Sequence, residues 1–191
     1  MTDNDDQAAK VFPHARYLES VTPGHPGGLA PNEKKAARRL IAKFCTLSEH
    51  YAGRITYTQN RPFDPSVYPD VGYRGDCSSY VTQAFWYAWD ALDGVPLLDP
   101  NGIVQWDGYG FTGTLLATNH QHRVPLDRKF FIGDLAIYGS FYNTKHVTLC
   151  RKGGDVKTSV WSSHGSESGP KSEGLLYRAD LLGCYRPVSL L

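Results

Sequence analysis

The sequence lacks most of the features that would classify it at a glance. It carries no excess of one charge: 20 Lys and Arg stand against 19 Asp and Glu, a formal net charge of +1. Such a balance argues against a nucleic-acid partner, whose phosphates call for concentrated positive charge. No apolar run approaches the ~20 residues of a membrane span. The opening residues, MTDNDDQAAK, are acidic and polar where a secretory signal would be basic and then apolar. Synthesis in the cytoplasm, without export by that route, is therefore expected. The four cysteines, Cys45, Cys77, Cys150 and Cys184, form no C-x-x-C pair, which argues against thioredoxin-like and zinc-ribbon folds. Their irregular spacing, with no signal, points to reduced thiols. No internal repeat is found.

What is present suits one domain. At 191 residues the chain can bury a core without staples. Residues 1–31 are rich in Pro, Gly and charge and read as a flexible leader. Residues 32–191 read as one catalytic domain, opened by a helix over 32–51 with Asn32 as N-cap and Glu33 in its first turn. Ala37, Leu40, Ile41, Phe44 and Ser48 share one face of that helix; the basic residues on the other read as a solvated stripe. A β-like run, RITYTQN, leads into the Pro- and Gly-punctuated loop RPFDPSVYPDVGYRG. An irregular segment over 93–125 follows a second helix, with FTGTLLAT as a short helix inside it; loops this long are usually functional or disordered. The last third holds short β-like runs: KFFIGDLAIYG, KHVTLCRK, VKTSVWSSHG, GLLYRAD and LLGCYRPV. Gly153-Gly154-Asp155 is a hairpin turn between two of them. Helices first and strands later predict an α+β fold with a helix packed on an antiparallel sheet.

The chemistry centres on GDCSSYVTQAFWYAW, residues 75–89. Val81, Ala84, Phe85, Ala88 and Leu92 recur at helical spacing. Asp76 suits the N-cap, since its carboxylate accepts the orphan amides of the first turn. Cys77 then sits at the helix N-terminus, where the helix dipole favours thiolate over thiol. Its competing reading is a small buried hydrophobe. A thiolate nucleophile needs a base, and the base an orienting partner. Of seven histidines, His14 and His25 lie in the leader and His50 ends the first helix. His120 and His122 form H-x-H without a nearby third ligand, so no metal is expected. His146 opens HVTLC and His164 closes TSVWSSH. If these runs pair through the GGD turn, both rings come to the same end of the sheet. Alternation places Val147 and Leu149 on one face and leaves His146 and Thr148 on the other, while Val160, Ser162 and His164 share a face. The competing reading is two ordinary histidines at strand ends.

The ordered set of D-C-S-S at a helix start, G-D-L-A-I-Y, H-V-T-L on a strand and a histidine on the next strand resembles the NlpC/P60 family of papain-like cysteine peptidases, over roughly residues 50–190. The resemblance implies a papain-like α+β fold whose Cys-bearing helix packs on a central antiparallel sheet, with the family-like core at about 52–190. It implies Cys77 as nucleophile, His146 as general base and His164 as the third polar residue that orients His146. Tyr57 looks like the family's site-lining tyrosine, although the proline-rich loop lengthens its spacing to Cys77. Amides around Cys77 and Ser78, next to Asp76, are the implied oxyanion donors. Asp134 of the G-D-L turn reads as structural.

The implied activity is endopeptidase cleavage of a peptidoglycan stem peptide, at a γ-D-glutamyl–diamino acid bond, with neither metal nor organic cofactor. Arg54, Arg61, Arg74 and Asp107 lie in loops flanking the site and could read the charges of such a substrate; the competing reading for each is a solvated loop charge. The pattern DPNG…DGYGFTGTL and the late SHGSESGP resemble versions encoded by phages of actinobacteria, which would act on the wall after release by a holin or from a virion. Two alternatives stand beside this reading: an N-acetylmuramoyl-L-alanine amidase of the related CHAP type, and a non-catalytic phage structural protein that kept the fold.

Overall fold

The computed structural model describes residues 29–93, 95, 97–101, 106–166 and 169–191. The expected leader, with His14 and His25, lies outside the described residues as far as residue 28.

Helix α1 spans Pro31–His50. It starts one residue before the position expected for its cap. Pro31 takes the first helical turn, where its fixed φ and missing N–H cost nothing, and the Glu33 carboxylate accepts from the Ala30 amide at 2.8 Å. Ala37, Ile41, Phe44, Cys45 and Ser48 form the buried face. Phe44 is enclosed by the rings of Tyr73, Tyr80 and Tyr87 at 5.4–6.1 Å. This helix is therefore part of the core and not an appendage to it. Strands β1 (Thr56–Tyr57) and β2 (Arg74–Gly75) form a short parallel pair. β2 delivers the chain to helix α2, Cys77–Ala91, whose first twelve residues are all buried. Helix α3, Thr112–Asn119, is the short helix anticipated inside the long loop.

The main sheet contains β3 (Arg123–Val124), β4 (Leu135–Ser140), β5 (Asn143–Lys152), β6 (Val160–Gly165), β7 (Gly169–Gly174) and β8 (Leu181–Tyr185). Its spatial order is β3-β8-β4-β5-β6-β7, antiparallel throughout. The α+β class holds: helices on an antiparallel sheet. One run differs. GLLYRAD ends β7 at Gly174 and then turns, and its Leu175 is buried beneath the sheet beside Trp161. The sheet carries a core on each face. Leu135, Ile137, Val147 and Leu149 meet the helices. Ala136, Tyr138, Cys150, Trp161 and Cys184 pack on the other side.

The G-D-L turn carries a structural acid, as expected. Gly133 adopts φ +95°, a backbone conformation that strains any residue with a Cβ, and a Cβ there would also push on Leu190 Cδ1 at 2.2 Å. Asp134 accepts from the Phe131 amide at 2.8 Å and holds Arg186 through two bonds of 2.7 Å, Nε to Oδ1 and an Nη to Oδ2. The Arg186 guanidinium also lies 4.5 Å over the Phe131 ring. Asp134→Ala leaves that cation without its partner in a largely buried setting, and should cost about 3–5 kcal/mol. Urea denaturation midpoints test this; a change below 1 kcal/mol, on the order of a surface ion pair, would refute it.

A second polar knot ties α1 to the sheet. Glu49 Oε1 accepts from Ser162 and Ser172 hydroxyls at 2.6 Å each, and Arg151 completes the pair with its other oxygen. Ser162 also bonds the Tyr80 hydroxyl of α2 at 2.8 Å. These bonds fix which face of β6 looks toward the helices.

Candidate active site

Asp76 caps α2 as anticipated. Its Oδ1 accepts from the amides of Ser78 (3.0 Å) and Ser79 (2.9 Å), and the Ser79 hydroxyl accepts from the Asp76 amide at 2.7 Å. This reciprocal box satisfies orphan donors on both sides of the helix start. It also occupies the Ser78 amide, one of the two expected oxyanion donors. Cys77 is the first helical residue, and its Sγ lies 3.7 Å from the Thr112 hydroxyl at the start of α3.

The four thiols differ in access. Cys45, Cys150 and Cys184 are fully enclosed, whereas Cys77 keeps 7% of its surface. Burial pushes Cys45 and Cys184 up to about 12. The Cys77 thiol is raised as well. Burial is the main cause and the Asp76 carboxylate adds to it, while the Val147 backbone, Thr112 hydroxyl and Ser78 backbone pull the other way. The expectation of a resting thiolate is thus corrected. Desolvation of the sulfur, aided by the adjacent carboxylate, outweighs the helix dipole.

The histidines do not pair as parity suggested. β5 and β6 pair Leu149 with Ser162 and Cys150 with Trp161. Ser162 faces the helices, so His164, two residues on, shares that face with Leu149 and Val147. His146 pairs directly with Tyr138, whose ring belongs to the opposite core. The two imidazoles are on opposite faces, one residue out of the phase required for a base and its orienter. Hairpin connection alone could not reveal this, because the turn over 153–159 is longer than the GGD signal. Asp155 organises it by accepting from the Lys157 and Thr158 amides at 2.9 Å.

His146 is partly exposed. Its ring lies 6.1 Å from Tyr138 and 6.4 Å from Tyr177. Burial, then the Arg178 charge, lowers its pKa to about 4. Its connection to Cys77 runs through its neighbours. The Val147 backbone touches on the Cys77 thiol, and the Tyr177 phenol is raised in part by the Cys77 charge. His164 is fully buried, and its ring meets Tyr57 edge-on at 5.4 Å. Burial lowers its pKa, against the Thr56 backbone and the Asp76 charge. Neither of its ring nitrogens makes a hydrogen bond of good geometry.

Both depressed histidines set a pH dependence of stability. Each binds its proton more readily in the unfolded chain. Their contribution is complete above the ordinary value of 6.5 and is lost as the pH falls from there toward about 4, where His146 titrates in the fold. His146→Asn should flatten the fall of Tm between pH 7 and pH 4. A slope equal to that of the wild type would exclude His146 as a contributor.

The remaining predicted residues are placed as follows. The Tyr57 hydroxyl accepts from Gln59 at 3.1 Å, its ring meets His164 edge-on, and its phenol is raised by burial and, less, by the Cys77 charge. Arg54 is spent on the Asp70 carbonyl at 2.6 Å, and Asp107 on the Tyr109 amide at 2.9 Å. Arg61 pairs with Asp76 at 2.6 Å and donates to the Ser78 hydroxyl at 3.0 Å. Arg74 is exposed on β2. Thr112 and Tyr177 were not anticipated; no local pattern marks a threonine or a tyrosine that is distant in sequence from Cys77. Among the described residues, no group of three or more His, Cys, Asp or Glu side chains could hold a metal ion.

No family model matches the chain, and no curated protein matches it. Among solved structures it is similar to the NlpC/p60 domain of the peptidoglycan hydrolase SagA. The two are 16% identical with a TM-score of 0.45, and the match covers 75% of this chain and 97% of that one.

No helix of the described residues is long and apolar enough to cross a membrane.

Proposed function

We propose that this chain is a cysteine-dependent hydrolase of peptidoglycan stem peptides, cleaving an amide at a γ-D-glutamyl–diamino acid bond. The observation that carries the reading is Cys77: the most accessible of the four thiols, set at a capped helix N-terminus. The ordered D-C-S-S, G-D-L and H-V-T-L motifs support the same reading.

In the proposed reaction His146 takes the Cys77 proton and the thiolate attacks the amide carbonyl, forming a C–S bond. The Cys77 amide, at the first helical position, donates to the oxyanion. Collapse breaks the C–N bond, and the imidazolium returns its proton to the leaving amine. Water, deprotonated by His146, then hydrolyses the thioester and regenerates the thiol. His146 is assigned the role because it opens the H-V-T-L run, is partly exposed, and its peptide bond to Val147 abuts the sulfur; its ring, on the Tyr138 face at rest, turns toward the thiol when substrate binds. Its hydrogen bond to Cys77 is absent at rest, and such bonds often tighten only with substrate. The resting pair is neutral thiol and neutral imidazole, so proton transfer accompanies substrate binding. His164 serves as the third polar group of the site from the Cys77 side of the sheet, beside Tyr57 and Asp76.

Incubation with defined muropeptides, read by mass spectrometry, tests the assignment. Newly freed amino groups on the diamino acid are the expected product. Free lactyl-muramic ends would instead identify an amidase. Intact substrate, together with no preferential alkylation of Cys77, would overturn the reading.

A further inference from the structure

Arg61 is the most heavily used side chain around the nucleophile, and catalysis as described assigns it nothing. One of its Nη atoms reaches Asp76 Oδ2 at 2.6 Å and Ser78 Oγ at 3.0 Å. Nε donates to the Gly110 carbonyl at 3.1 Å, and the other Nη to the Gln59 carbonyl at 3.1 Å. The guanidinium lies 5.1 Å over the Phe63 ring. The Asp76–Arg61 pair is mostly buried, with side-chain exposures of 9% and 19%. Two consequences follow from this geometry. Asp76 is the residue before Cys77, and an uncompensated carboxylate there opposes thiolate formation. Gly110 lies two residues before Thr112, the hydroxyl that touches the sulfur.

We propose that Arg61 is a positioning residue for Cys77: it acts through Asp76, offsetting that carboxylate's charge beside the sulfur. This rests on Cys77 being the nucleophile. An arginine is suited to it because its planar fork serves two oxygens on one side and a carbonyl on the other while stacking on a ring. The charged and titratable groups around the thiol are Asp76 at the N-cap of its helix, Tyr57 on β1, Arg61 in the loop and Tyr177 after β7, with His164 on β6 and His146 on β5. Of these, Asp76 is the nearest negative charge, and Arg61 is the cation bonded to it.

The test is the pH profile of Cys77 alkylation, followed by peptide mass spectrometry, which needs no substrate. Arg61→Gln should move the profile upward and slow alkylation at neutral pH by about tenfold, the change in thiolate for one pKa unit. Arg61→Lys should restore most of the wild-type profile because it keeps the charge. Asp76→Asn, which preserves a good N-cap, should move the profile downward, and in that background Arg61→Gln should have no further effect. If Arg61→Gln does not fold, the Lys and Asn variants still decide. Superimposable wild-type and Arg61→Gln profiles would overturn the proposal. So would a shift that persists in the Asp76→Asn background, or an Asp76→Asn profile unmoved from wild type. Failure of the hydrolase reading itself would show separately, as a Cys77→Ala variant that still releases fragments.

Discussion

Cys77→Ala is expected to lower stem-peptide hydrolysis by about 10⁴-fold or more, because the covalent route disappears with the sulfur. The fold should persist. Cys77 sits at the first helical position, and the cap is made by Asp76, Ser78 and Ser79, none of which depends on the thiol. Cys77→Ser should not rescue activity. A hydroxyl is far harder to deprotonate than a thiol, and the proposed base, with its pKa lowered to about 4, is a weak one at rest. Rates on a purified muropeptide, with circular dichroism to confirm the fold, give the answer. Retention of more than about a tenth of wild-type kcat/KM in the alanine variant would remove Cys77 from the mechanism.

The second large effect concerns the histidines, and their variants should part company. His146→Ala should reduce kcat by roughly 10²–10⁴, the usual value of a positioned general base. Stability should change little at neutral pH, because the imidazole is partly exposed and makes only ring contacts with Tyr138 and Tyr177. His164→Leu should also reduce activity but raise stability. Neither buried ring nitrogen makes a hydrogen bond of good geometry, only the Thr56 backbone acting on the ring, and an under-satisfied buried group costs on the order of 1–3 kcal/mol. A leucine of similar reach against Tyr57 removes that cost. A gain in Tm with a loss of kcat is the trade expected of a site residue that the fold tolerates rather than needs. A drop in Tm would mean that His164 has partners the described geometry lacks. Unchanged kcat would make it a packing residue only.

How far the residues alone reached can be read from particular elements. Helix α2 and its Asp76 cap were legible because capping and the 3.6-residue period are local. The same holds for α3 and for β4, β5, β6 and β8. Asp134 was legible as structural because Gly-Asp turns are local too. The cap of α1 was misplaced by two residues, since Asn32 and Pro31-preceded starts compete in the same window. GLLYRAD has β-like composition, yet it turns because Leu175 is drawn under the sheet toward Trp161, a contact far away in sequence.

Arg61 shows the other limit. Its loop position suggested a free charge for substrate, and only the folded chain shows it spent on Asp76, Ser78 and Gly110. Thr112 reaches the sulfur from 35 positions away, and no periodicity links two such residues.

The sequence by itself determined that a cysteine would open a capped amphipathic helix, that strands would follow, and that His146 and His164 would lie on neighbouring ones. These depend on spacing and on the chemistry of short segments. Tertiary structure decided the ionisation of Cys77, because desolvation depends on everything that covers the sulfur. It also decided the faces of the two histidines. Strand register has a period of two, so a one-residue offset, set here by the pairing of Leu149 with Ser162, sends one imidazole to each side of the sheet.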